Sequence, residues 1–148
     1  MKDRSMAMVT RDDRVLLVKQ RLFGRSFYII PGGGVEPGET PAEAALRELY
    51  EECCVVGYDA GELNVTCRND GRLEYVFHVK IPEDAVPYAG RDPELSDEEQ
   101  IILDVEWKRL DELSEKDRAF LCSYGILQLE PFRSIVLDWG EAVSYPHE

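Results

Sequence analysis

The sequence contains no run of 18 uncharged apolar residues, so it offers no membrane-spanning helix. Positive charge is also scarce: 17 Lys and Arg stand against 30 Asp and Glu, for a formal net charge of −13. That balance argues against a nucleic-acid backbone or an anionic membrane surface as the main partner, because both require clustered cations. The N-terminal "MKDRSMAMVTRDDR" has charges where a signal peptide would have its apolar region, and the expectation is a cytoplasmic protein. Cysteine is limited to Cys53, Cys54, Cys67 and Cys122, spaced neither as a zinc knuckle nor as a secreted disulfide scaffold, and these read as free buried thiols. Repeats, low-complexity tracts and Ser/Pro-rich linkers are absent, and 148 residues suit one domain spanning 1–148. "PGGGVEPGET" lacks the Gly-Lys-Ser/Thr end of a P-loop, and "DPELSDEEQ" has Asp97 where a Ca²⁺ loop needs glycine.

What is present reads as alternating strands and helices. "MAMVT" and "RVLLVKQ" flank an Asp pair and predict a first hairpin. "SFYII" predicts a strand stopped by "PGGG", where Pro ends the ladder. "TPAEAALRELYEE" carries Thr40 as N-cap, Pro41 at the first helical position and Glu43 three residues after Thr40, which together predict a helix. Asp70-Gly71 predicts a turn between "ELNVTCRN" and "RLEYVFHVKI". "PEDAVPYAGRDPELSDEEQ" reads as a loop, "ILDVEWKRL" as a strand and "DELSEKDRAFLCSYGILQLE" as a second helix ended by Pro131. The order predicts an α/β fold with a mixed sheet between helices. "SIVLDWGEAVSYPHE" has no clear assignment.

Within the first helix, "RELYEECC" crowds Glu48, Glu51 and Glu52 into five positions. At about 100° per residue these carboxylates share one face, while Ala42, Leu46, Leu49, Tyr50 and Cys53 share the other. Like charges at such spacing repel by about 0.2–0.5 kcal/mol per pair. Arg47 can pair with Glu43 or Glu51, but no Lys or Arg stands four residues from Glu48 or Glu52. An acidic helix face is often simply solvated; here a glycine-rich loop leads into it, and Ala44 would leave room above the acids. Carboxylates beside accessible carbonyls form the oxygen set that hard divalent cations take, and such an ion would let so acidic a chain hold a polyphosphate.

These residues closely resemble the signature of the Nudix hydrolases. Gly33, five residues, Glu39, seven residues, then Arg47-Glu48-Leu49-Tyr50-Glu51-Glu52-Cys53-Cys54-Val55 match its fixed positions, except that Cys54 stands at the last glycine. "YIIPGG" before the box and "VEWKRLDEL" after it also look like family features. The resemblance implies a Nudix α/β/α sandwich. It further implies hydrolysis of a diphosphate linkage in a nucleoside diphosphate joined to another moiety, with Mg²⁺ or Mn²⁺. On that basis Glu48, Glu51 and Glu52 bind metal, with the Gly32 carbonyl as a further ligand. Arg47 orients the glutamates, and Glu39 supports the site. Family members often add a later carboxylate; Glu98 and Glu99 are the candidates here, with Glu94 behind them.

Arg21, Arg25 and Tyr28, in "RLFGRSFY", are candidates to hold the substrate, or else core aromatics with solvated arginines. His78 falls on the polar side of its strand and reads as a surface residue. The helix is expected to bypass Cys54 and end near Gly57. The expected partner is a small nucleotide or nucleotide sugar, and a homodimer is the default assembly. The competing reading is a Nudix-fold sensor or docking module that binds a nucleotide without turning it over.

Overall fold

The computed structural model describes residues 2–139. Its strands are β1 (Arg4–Met8), β2 (Thr10–Arg11), β3 (Arg14–Leu22), β4 (Arg25–Ile29), β5 (Gly32–Gly34), β6 (Tyr58–Cys67), β7 (Leu73–Lys80) and β8 (Ile102–Arg109). The helices are α1 (Pro41–Cys53), α2 (Glu115–Ser123) and α3 (Phe132–Trp139). One sheet has the order β5-β1-β7-β6, with β1 and β7 parallel and the other neighbours antiparallel. In the other, β3 is the hub and runs antiparallel to β2, β4 and β8. The strand layer is therefore mixed, as expected, but divided into two sheets. Among the described residues no helix is long and apolar enough to cross a membrane.

Alternation along β1 and β3 explains the layering. Met6, Met8, Val15 and Leu17 point to one side, where they join Leu121 of α2 and Phe132 of α3. Ala7, Val9, Leu16 and Val18 point to the other, where they meet Ala45, Leu49 and Cys53 of α1. Strands buried on both faces read as continuous apolar runs, which is why "MAMV" and "VLLV" show no polar alternation. The result is an α/β/α sandwich. Leu49 is fully buried in the α1 layer. Leu49→Ala should cost about 2–5 kcal/mol of unfolding free energy, read by chemical denaturation.

The capping signals of α1 are realised in full: Glu43 N–H donates to Thr40 Oγ1 at 3.1 Å, and Thr40 N–H to Glu43 Oε1 at 3.0 Å. The strand before "PGGG" ends at Ile29, ahead of Pro31, as expected, and the glycines beyond it form a separate strand, Gly32–Gly34, paired with β1. Three expectations need correction. Of the four free cysteines Cys53 is buried, whereas Cys54 is only partly covered and Cys67 and Cys122 are exposed. The second helix is shorter: Ser114 caps it through Asp117 N–H, and Gly125 at φ 100 breaks the chain direction afterwards. His78 is half-buried, with Nε2 3.0 Å from Thr10 Oγ1, because β2 lies over that side of β7. Residues 134–139 of the unassigned C-terminal stretch belong to α3, and 140–148 lie outside the described residues.

Helix α1 does not run on towards Gly57. Cys54 itself adopts the left-handed conformation, at φ 58 and ψ 34, and its N–H closes on Tyr50 O. A non-glycine residue there costs roughly 1 kcal/mol. Cys54→Gly should therefore raise the melting temperature by a few degrees.

Candidate active site

The glutamate face of α1 is turned inward, and the reason is the glycine strand beside it. Gly32 N–H donates to Glu52 Oε1 at 2.8 Å. A Cβ on Gly33 would stand 2.3 Å from Glu48 Oε1 and push that carboxylate aside, and one on Gly32 would meet the backbone of β1, Ser5 O at 2.7 Å and Met6 Cα at 2.9 Å, which cannot yield. Ala44 is fully buried and leaves no open space above the acids, contrary to the helical-wheel expectation. Tyr50, assigned by the wheel to the apolar face, is 55% exposed and lines a cleft.

Arg47 organises the cluster. Its Nε and Nη2 donate to the two oxygens of Glu39 at 2.7 and 3.0 Å, Nη2 also donates to Gly34 O at 2.8 Å, and Nη1 reaches Glu48 Oε1 at 2.9 Å. Glu51 accepts from the same Nη1 at 3.3 Å. The Arg47 guanidinium, with the Glu36 N–H, lowers the Glu39 carboxyl to about 2. Glu39 is thus a permanently charged anchor that fixes Arg47 across the turn before the helix.

Glu48 and Glu52 behave oppositely to Glu39. Burial raises the pKa of Glu48, against the pull of Arg47. Burial raises Glu52 to about 8; the Gly32 N–H opposes the shift, and the charge of Glu48 adds to it. Among the described residues Glu52 has no cationic side chain as a hydrogen-bond partner; the charge of Arg4 and the Gly32 N–H favour its ionised form but do not outweigh burial.

These acids open into a cleft of about 810 Å³. Glu48, Glu51 and Glu52 line one part of it, Leu22, Tyr50, Ile101 and Ile102 an apolar part, and the segment Gly90–Pro93 the remainder. Of the later acids, Glu94, Glu98 and Glu99 do not line the cleft. Glu99 Oε1 accepts the Ser96 N–H, and Glu98 O accepts Arg21 Nη2. The acid that this segment does supply is Asp92, which spacing alone did not single out. Arg21, Arg25 and Tyr28 are also absent from the cleft. Arg25 and Tyr28 border a separate cavity of about 430 Å³ with Asp117, and the Tyr28 hydroxyl donates to Glu106 at 2.8 Å.

The acids facing the cleft, Glu48, Glu51, Glu52 and Asp92, are hard oxygen donors, which suit a Mg²⁺- or Mn²⁺-type ion; among the described residues the one sulfur there is Cys54. Glu48, Glu51 and Glu52 are engaged by Arg47 or Gly32, and no three His, Cys, Asp or Glu among the described residues converge closely enough to share an ion. The fit therefore rests on the oxygen chemistry of these acids, whose carboxylates are held apart by Arg47 and Gly32.

Comparison with known proteins agrees with this architecture. The NUDIX domain family model matches residues 1–128. The mouse diphosphoinositol polyphosphate phosphohydrolase 3-alpha is 43% identical over 75 residues, covering 49% of this chain and 45% of that protein. The chain thus spans about half the length of the curated relatives it matches. A Nudix hydrolase crystal structure from Nitrosomonas europaea has a TM-score of 0.66 at 18% identity, over 99% of this chain and 76% of that one. A C. elegans Ap4A hydrolase binary complex has a TM-score of 0.63 at 15% identity, over 92% of this chain and 99% of that one. The structural likenesses bear on the fold, and Nudix hydrolases are in general dependent on divalent metals. The match across residues 1–128, which contains the glycine strand and the glutamate helix built against it, establishes that the chain belongs to the Nudix family.

Proposed function

We propose that the protein hydrolyses the diphosphate linkage of a nucleoside diphosphate joined to a second group, in a single cytoplasmic domain that uses Mg²⁺ or Mn²⁺. The observation that carries this reading is Glu52: a partly buried carboxylate beside Glu48 and Glu51, at the mouth of a cleft, with one backbone N–H to hold it. Glu48, Glu51 and Glu52 would hold the ion, with the Gly32 carbonyl. When bound, a divalent cation supplies charge neutralisation at the phosphoryl oxygens and makes a water more acidic.

The chain's own groups do the positioning. Glu39 locks Arg47, and Arg47 fixes the carboxylates of Glu48 and Glu51. Gly32 N–H holds Oε1 of Glu52, leaving Oε2 to act as ligand or to accept the proton of the attacking water. The apolar part of the cleft, Leu22, Tyr50, Ile101 and Ile102, would pack against the group joined to the diphosphate. The named activities of related proteins, on diphosphoinositol polyphosphates and Ap4A, are both cleavages of phosphoanhydrides and support the reaction class.

A panel of ADP-ribose, dinucleoside polyphosphates, nucleotide sugars, oxidised nucleoside triphosphates and a diphosphoinositol polyphosphate, each with and without Mg²⁺, tests the proposal. Metal-dependent phosphate or nucleotide release from at least one is expected; none from any would sink it. The second reading, a nucleotide sensor without turnover, is favoured by the engagement of the carboxylates with Arg47 and Gly32. A sensor would show ligand-dependent melting and no metal-dependent product.

A further inference from the structure

Part of the cleft wall is fastened to the glutamate helix itself. Tyr88 N–H donates to Cys53 O at 3.0 Å, and Gly90 N–H donates to Glu52 O at 2.9 Å. These carbonyls lie in the last turn of α1, where the helix has no donors of its own to offer. A Cβ on Gly90 would stand 1.8 Å from Glu51 O, so only glycine permits this approach. The strap then delivers Arg91 and Asp92 to the cleft.

Arg91 is the only Lys or Arg among the described residues lining that cleft; the other charged groups there are Glu48, Glu51, Glu52 and Asp92. Its guanidinium is paired with Asp97, and the two side chains are 56% and 87% exposed. Water screens such a pair, so an anion entering the cleft can take the place of Asp97. The remaining wall, with Leu22, Tyr50, Ile101 and Ile102, offers a flat or apolar group exposed apolar surface to cover and, among the described residues, no second cation.

We propose that Arg91 recognises the phosphoryl oxygens of the substrate, with Gly90 as the residue that positions it. With one cation, the cleft takes a single diphosphate bearing an apolar or aromatic group in preference to a densely phosphorylated ring. The inference rests on the hydrolase reading for the identity of its ligand as a diphosphate.

The test is calorimetric binding of methylenediphosphonate, which is not hydrolysed, in millimolar Mn²⁺ to the wild type, Arg91→Ala and Arg91→Lys. A charged hydrogen-bond donor lost to Ala should raise Kd about tenfold, and Lys should hold it within about threefold of wild type. Hydrolysis by Arg91→Ala should show a KM raised about tenfold with kcat within about threefold. Inositol hexakisphosphate should bind more weakly than the diphosphonate. The inference is overturned by an Ala variant that binds within twofold of wild type, by Lys as weak as Ala, by tighter binding of the inositol phosphate, or by no wild-type binding at millimolar ligand. Hydrolysis with Arg91-independent binding removes this inference alone; Arg91-dependent binding without hydrolysis supports it and removes the hydrolase reading alone.

Discussion

Glu52→Gln will remove about 10²–10³-fold of the metal-dependent hydrolysis while making the metal-free protein more stable. The two effects have one origin. Glu52 sits where burial lifts its carboxyl from 4.5 to about 8. An acid whose folded-state value lies above its unfolded value lends its full stability below the unfolded value, and loses it as pH rises through the folded one. In chelator, the stability of the wild type should therefore fall between pH 4.5 and pH 8, by up to about 3 kcal/mol at pH 7. Glutamine keeps the acceptor for Gly32 N–H and has no proton to lose, so the variant should melt about 10 °C higher in chelator at pH 7 and fall less steeply across that range, where the raised carboxyl of Glu48 still contributes. Equal melting temperatures would mean that Glu52 is not electrostatically strained.

The second large effect is metal-induced stabilisation. Millimolar Mg²⁺ or Mn²⁺ at about 100-fold over Kd should add about 2.7 kcal/mol, a rise of roughly 5–10 °C. The rise should grow from pH 6 to pH 8, because the ion competes with the proton that Glu52 otherwise retains in this window. In Glu52→Gln most of the rise should vanish, since a neutral amide neither repels Glu48 nor offers charge to the ion. A flat scanning-calorimetry response across millimolar metal in the wild type would count against the site.

How much of this was legible in the sequence differs by element. Helix α1 was readable because its signals are local: Thr40, Pro41 and Glu43 act within one turn and need no partner from elsewhere. The layering was readable from the order of strands and helices, and the unbroken apolar runs of β1 and β3 are consistent with cover on both faces. Strand β5 was not readable, since three glycines have no strand preference and pair only because β1 lies alongside. The helical wheel placed Glu48 and Glu52 on one face but could not show what that face meets, so the inward turn and the raised carboxyl of Glu52 came only with the fold. The family resemblance implied Glu98 and Glu99, whereas the strap that reaches the cleft is set by Tyr88 and Gly90 bonding the end of α1, a contact far apart in sequence. Cys54 was visible as a departure from the motif, and its left-handed backbone shows that the chain accepts the strain there and does not avoid it.

If the glutamates on α1 serve metal-dependent cleavage of a phosphoanhydride, product release from the diphosphate panel at pH 8 in Mg²⁺, with wild type and correctly folded Glu52→Gln side by side, will show it. The wild type should release product that chelator abolishes, and the variant should lose at least about 10²-fold. Release that survives chelator, or that the variant retains in full, would contradict that role.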